Sequence, residues 1–353
     1  MNRILLCLFL LAAVILPAFG QNSFTAYPYL AYSGDTRLMV GAFSFFSHDL
    51  ESESVKPEAF SILSNTIYSM KHQFLFVLMP QYRTENWKIA ASMIFQDWPD
   101  AYHGIGNDSD MDEGEDYTSR RYSIETQITR NLTTNLRLSL RSLQGWHKVR
   151  DYEEDGLMQN DQLLGFDPGF YSGLGYAVAY DTSEDNYYPE HGVKLEIRQL
   201  FMNEAWGSDY DYYESQYDLR AYLKTSAVSV LALQSDLIHH GGDLPFYNYP
   251  ELGARLRAYD AKRYIDKARI SQRLENRIFP FSGSFTRRIG FVAFAESGQV
   301  ATDVRDIRLK DWHYSVGGGL RFSILPDEKL NLRADFGFGD NSTNFMVNAR
   351  EVF

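Results

Sequence analysis

From about residue 24 to Phe353, the chain is built of stretches in which apolar and polar residues alternate. In Leu136-Arg137-Leu138-Ser139-Leu140-Arg141 every second side chain is apolar, and Val193 to Arg198 and Leu330 to Phe336 repeat the pattern. Strand side chains point to opposite faces with period two. Each stretch therefore has one apolar face and one that carries Arg, Lys, Glu and Asp. The alternation predicts strands over 24–33, 36–46, 58–69, 72–82, 86–97, 118–130, 134–149 and 170–181. It predicts more over 191–202, 213–224, 228–240, 265–278, 285–297, 312–324, 329–339 and 343–353. Links between them alternate in length, with tight ones such as 131–133 and 225–227 and long ones over 98–117, 150–169, 203–212, 241–264 and 298–311. An outer-membrane barrel has short periplasmic turns, longer outside loops, a lipid-facing apolar band and a polar lumen. The expected fold is all-β: one antiparallel transmembrane β-barrel of about 16 strands, or 14 if one hairpin is miscounted.

The two ends fit that reading. Arg3, the apolar run Ile4 to Ile15 and Ala18-Phe19-Gly20 have the charge, length and small-residue site of an export signal. Residues 1–20 are thus expected to be a signal peptide and 21–353 the barrel. The apolar run is shorter than the roughly 20 residues of a spanning helix. The one cysteine, Cys7, lies in the signal, so disulfide and thiol chemistry are not expected after its removal. A hydrophobic fraction of 44% suits strands with only one face in lipid, and 24 Tyr with 24 Phe suit interfacial girdles. A net charge of -12 argues against a nucleic-acid partner.

Three segments carry a resemblance. Tyr180-Asp181-Thr182, Asn186, Pro189 and Gly192 resemble the strand–turn–strand signature of the BamA/TamA outer-membrane assembly barrels, also called bacterial surface antigens. Leu256-Arg257-Ala258-Tyr259 is similar to that family's Val-Arg-Gly-Phe/Tyr loop motif, and Phe294-Ala295-Glu296-Ser297-Gly298 to its Phe-x-Asp-x-Gly strand. Gly317 to Phe322 and Leu332 to Asp335 fit the closing segment. Trp98-Pro99-Asp100 and Gly104 to Asn107, expected at the start of an external loop, are similar to a segment of short surface-antigen barrels. The resemblance implies that the long loop 241–264 folds into the lumen, where Arg257 meets acidic wall residues. On 265–278 the residues Arg269, Ser271, Arg273, Glu275 and Arg277 share one parity. Glu275 and Glu296 are thus the expected lumenal partners of Arg257. Two positions depart from the pattern: Ala258 replaces a glycine, which would strain a positive φ or very close wall packing, and Glu296 replaces Asp. Asp181 and Asn186 are expected to cap a periplasmic turn that Pro189 and Gly192 permit. Terminal Phe353 shares parity with Phe345 and Val347 and looks like the C-terminal signal read by assembly machinery, although Glu351 breaks the run.

Other signals reduce to structure. Asp108 to Gly114 starts like a calcium loop, but Glu113 and Ser119 stand where an EF-hand needs Gly and Glu. His239-His240 lacks a nearby third ligand, and no Ser, His and Asp set has a nucleophile context. No metal, cofactor or enzymatic activity is expected. The resemblance implies a bacterial outer-membrane location and a part in inserting or translocating proteins or lipids there. The mechanism would be opening between the first and last strands. This is a short member, expected to lack the polypeptide-transport-associated (POTRA) domains, so its partners would be outer-membrane lipids and a POTRA-bearing or assembly-complex protein. The alternative is an autonomous pore or structural barrel without insertase activity.

Overall fold

The computed structural model describes residues 14–15, 22–33, 36–49, 59–109, 114–183, 188–325, 330–349 and 351–353. After a two-residue strand β1 (Val14–Ile15), sixteen strands follow. They are β2 (Asn22–Ser33), β3 (Arg37–Asp49), β4 (Ala59–Ser69), β5 (Phe74–Arg83), β6 (Trp87–Tyr102), β7 (Glu115–Asn131), β8 (Leu136–Arg150) and β9 (Gly169–Asp181). The second half is β10 (Gly192–Met202), β11 (Tyr212–Ser226), β12 (Ser229–Gly242), β13 (Ala268–Ile278), β14 (Ile289–Ala301), β15 (His313–Leu325), β16 (Leu330–Gly339) and β17 (Ser342–Ala349). From β2 to β17 each strand pairs antiparallel with the next in sequence, giving one meander curled into a nearly closed barrel. All sixteen predicted stretches coincide with strands.

Alternation becomes two environments. On β13 the residues Arg269, Ser271, Arg273, Glu275 and Arg277 are buried in the lumen, whereas Leu274 is exposed on the outer face. Leu140, Leu174, Leu219, Leu233 and Phe291 are also exposed there. In hydrocarbon such a face is stable, since each Leu or Phe kept from water gains roughly 1.5–3 kcal/mol. No helix of the described residues is long and apolar enough to cross a membrane.

The outer half of the lumen is filled. The segment 243–267, between β12 and β13, folds inward through two short 3-10 turns, Phe246–Asn248 and Gly253–Arg255. Leu244, Phe246 and Tyr247 pack against Tyr102, Tyr117, Tyr171 and Tyr212 of the wall. Tyr247 stacks on His147 with ring centroids 3.7 Å apart, and Tyr264 stacks on His313 at 3.8 Å. The short helix α1 (Leu157–Asn160) adds Met158, whose N–H donates to Glu115 at 2.7 Å.

The ring is weakest where it closes. Of all neighbouring full-length strands, β17 and β2 touch along the shortest stretch. On the edge of β2 that faces this seam, Val14 and Ile15 pair with Ala26 and Thr25. These two are the only described residues of the expected signal peptide; the rest of 1–20 lies outside the described residues.

Two boundaries differ from expectation. Trp98-Pro99-Asp100 lies inside β6, with Pro99 opposite Thr118, and the loop begins only at His103. Proline lacks a donor but suits extended backbone, so the strand runs through it. The last strand stops at Ala349, and Glu351 to Phe353 turn into the lumen.

Candidate functional site

The loop motif and three wall strands meet in one buried cluster. Arg257 is 4% exposed. Its Nε donates to Glu296 Oε1 at 2.7 Å and its backbone N–H to Glu296 Oε2 at 2.7 Å. One terminal nitrogen, Nη2, lies 2.8 Å from Glu275 Oε1, and the other, Nη1, donates to Asp335 Oδ2 at 3.2 Å. The guanidinium carbon stands 3.5 Å from the ring centroid of Phe294, which covers its face. The planar fork of arginine thus addresses β13, β14 and β16 at once, a geometry that lysine cannot reproduce. Burial lowers the affinity of Arg257 for its proton, but the Glu275, Glu296 and Asp335 carboxylates more than reverse this and hold its pKa above the usual value.

Asp335 is a third partner, beyond the two that the sequence indicates. It shares parity with Arg333, so its lumenal direction is legible, but its closeness to the loop depends on barrel closure. Around Arg257 the charges continue in alternation. Arg277 Nε donates to Glu275 at 2.8 Å, Arg321 Nη1 to Asp335 at 2.5 Å, Arg333 Nη1 to Asp335 at 2.9 Å, and Arg321 Nε to Glu351 at 2.8 Å. Each carboxylate is therefore compensated, which is the condition for keeping charge in a dry interior.

The glycine missing from the loop motif has its counterpart in the wall. Ala258 is fully buried, and it is not among the described residues with positive φ. Its N–H donates to Ser315 Oγ at 3.2 Å, and its carbonyl accepts from Ser342 Oγ at 2.6 Å. The close approach comes from Gly337 and Gly339 on β16. A Cβ on Gly337 would lie 2.8 Å from the Arg257 carbonyl carbon and 2.9 Å from the Ala258 nitrogen, and one on Gly339 would lie 2.7 Å from the Tyr259 ring. Tyr259 closes the motif, donating through its hydroxyl to the Tyr314 carbonyl at 3.0 Å, while Leu256 packs fully buried with Leu252 and Val300. Gly337→Val should therefore lift the loop from β16 and cost about 1–3 kcal/mol. The check is the thermal midpoint of the folded barrel in detergent, with Gly318→Val, whose Cβ would have 3.3 Å to its nearest neighbour, as the milder comparison.

The remaining predicted residues fall elsewhere. Asp181 Oδ1 accepts from the Ser183 N–H at 3.0 Å, and Gly192 has φ +108° with a Cβ position only 2.7 Å from the Thr182 carbonyl oxygen. Tyr180 is exposed on the outer face, Tyr188 beside Pro189 is buried, and Asn186 lies outside the described residues. Gly106, in the short surface-antigen segment, donates its N–H to the Ile265 carbonyl at 2.8 Å and so steadies the loop's exit. Residues 110–113 of the acidic loop lie outside the described residues. His239 and His240 point to opposite faces, each toward its own carboxylate, Asp303 at 3.8 Å and Glu214 at 3.2 Å. Phe353 is 7% exposed and packs with Tyr222 and Ala232, its carbonyl accepting from Arg277 at 2.8 Å.

The Omp85 superfamily domain matches residues 61–347. Among solved structures, BamA from Haemophilus ducreyi lacking POTRA domains 1-3 is similar over 97% of this chain and 75% of that one, with a TM-score of 0.66 and 12% identity. CdiB from Acinetobacter baumannii is similar over 96% of this chain and 65% of that one, with a TM-score of 0.59 and 12% identity. CdiB from Escherichia coli gives 95%, 63%, 0.60 and 10%. This chain thus spans less than two thirds of the CdiB chains, and at these identities the likeness is one of fold. Among curated protein sequences none matches. With the domain match covering most of the sequence, the chain belongs to the Omp85 superfamily, and its barrel resides in the bacterial outer membrane.

Proposed function

We propose that this barrel serves outer-membrane biogenesis, inserting or translocating proteins or lipids through an opening between β2 and β17, itself or as the accessory of a larger machine. One contrast carries the reading: among the described residues the other neighbouring strands run against one another over most of their length, whereas β17 and β2 touch along only a short stretch. An unpaired strand edge can template an incoming strand through main-chain hydrogen bonds. The outer half of the lumen is filled by 243–267, which suits a braced wall beside a moving seam better than it suits a diffusion pore. Residues 1–20 act as the export signal, and no side chain is assigned a catalytic role.

In this reading a partner chain supplies the periplasmic receptor. A tag placed in the external segment 151–168 should co-purify, from detergent-solubilised outer membranes, an assembly barrel or a POTRA-bearing protein. Recovery of the barrel alone, under conditions that preserve a known assembly complex, would contradict the accessory role and leave an autonomous barrel.

A further inference from the structure

The outer face of β5 to β9 carries a feature that neither seam nor lumen uses. Phe76, Phe95, Tyr122, Trp146 and Phe170 are register partners across five consecutive strands. Their rings lie close, with centroids 4.8 Å apart for Phe95 and Tyr122 and 5.8 Å for Tyr122 and Trp146. They wall an outward groove of about 470 Å³. An aromatic row of this kind marks the membrane–water interface, and the long loops above it make this the external one.

Two residues further out on the three middle strands, the row becomes charged. Asp97, Arg120 and Lys148 are register partners on β6, β7 and β8. Asp97 is shared, with Arg120 Nη2 at 2.5 Å and Arg150 Nη2 at 2.7 Å. Like charges directly opposite, as in Arg120 and Lys148, are destabilising in an antiparallel pair unless an anion joins them. Lys148 has no ion pair among the described residues. Counting Asp97 and the neighbouring Asp151, three cations stand against two carboxylates, in a chain whose net charge is -12. Two residues span about 7 Å of strand, the step from acyl chains to headgroups. Below the rings Gln144 also lines the groove, donating to Ser142 Oγ at 2.6 Å. That hydrogen bond keeps the amide from standing unpaired toward hydrocarbon.

We propose that this face binds an acylated, phosphate-bearing lipid of the outer leaflet. Arg120, Lys148 and Arg150 hold the phosphate, and the aromatic groove below them holds an acyl chain. Guanidinium groups suit phosphate because their paired N–H donors match its oxygens. Such a lipid would seat the barrel in the membrane on the side away from the seam.

The test uses the full-length barrel in detergent micelles, with diphosphoryl lipid A and its dephosphorylated form as probes and native mass spectrometry as the readout. Wild type should retain the phosphorylated lipid about tenfold better than the other, and millimolar inorganic phosphate should not displace it. Lys148→Glu, and separately Arg120→Gln with Lys148→Gln, should bring the two lipids to equal retention. Both variants alter only the outer face, and their heat-modifiable migration in gels reports folding independently. Equal retention by wild type, unchanged preference in the folded variants, or displacement by inorganic phosphate would overturn the proposal.

Discussion

Arg257→Ala is expected to release the lumenal loop and destabilise the barrel by about 3–5 kcal/mol, the usual cost of removing one partner from a buried ion pair. The substitution leaves Glu275, Glu296 and Asp335 facing one another without the charge between them, and all three side chains are 0% exposed. It also removes the cation lying on Phe294. Arg257→Lys keeps the charge but not the fork, so it should fall between wild type and alanine. Thermal unfolding in detergent reads the stability. Trypsin reads the loop, because Lys262 and Arg263 lie in it and cleavage there should accelerate as it leaves the lumen. A variant that unfolds at the wild-type temperature with a protected loop would show that the cluster does not hold the loop.

The sequence carried most of this architecture because lipid and lumen impose opposite chemistry on adjacent residues. Parity alone places Glu275 and Glu296 in the lumen, and the resemblance brings Arg257 toward them. Asp335 is not legible as a partner, since parity gives direction but not proximity; only the curl of β16 past the loop brings it to 3.2 Å. The contacts of Gly337 and Gly339 are hidden from the sequence for the same reason. A glycine in a strand signals close approach, but not by what. The tail departs from the alternation in a more instructive way. Alternation continued the last strand to Phe353, with Glu351 as its one irregularity. Glu351 is the residue that reaches Arg321 and Asn331, at 2.8 and 2.9 Å, and it goes with the inward turn of the tail. Trp98 to Asp100 shows the converse, since a strand can continue above the membrane without a lipid-facing apolar run.

The largest functional effect belongs to the seam. Cysteines placed on the adjoining edges of β2 and β17, with Cα atoms within about 7 Å, would form a disulfide across it, in a Cys7→Ser background that removes the one native cysteine. Ser44→Cys with Ser64→Cys is the matched control, because those hydroxyls lie 2.7 Å apart across a ladder already paired. The assay is insertion of a labelled, unfolded barrel protein into outer-membrane vesicles bearing each variant. Oxidation of the seam pair should reduce insertion at least about tenfold, equivalent to about 1.4 kcal/mol in the barrier, with recovery on reduction and no effect in the control pair. Full insertion through an oxidised seam would contradict an opening between β2 and β17.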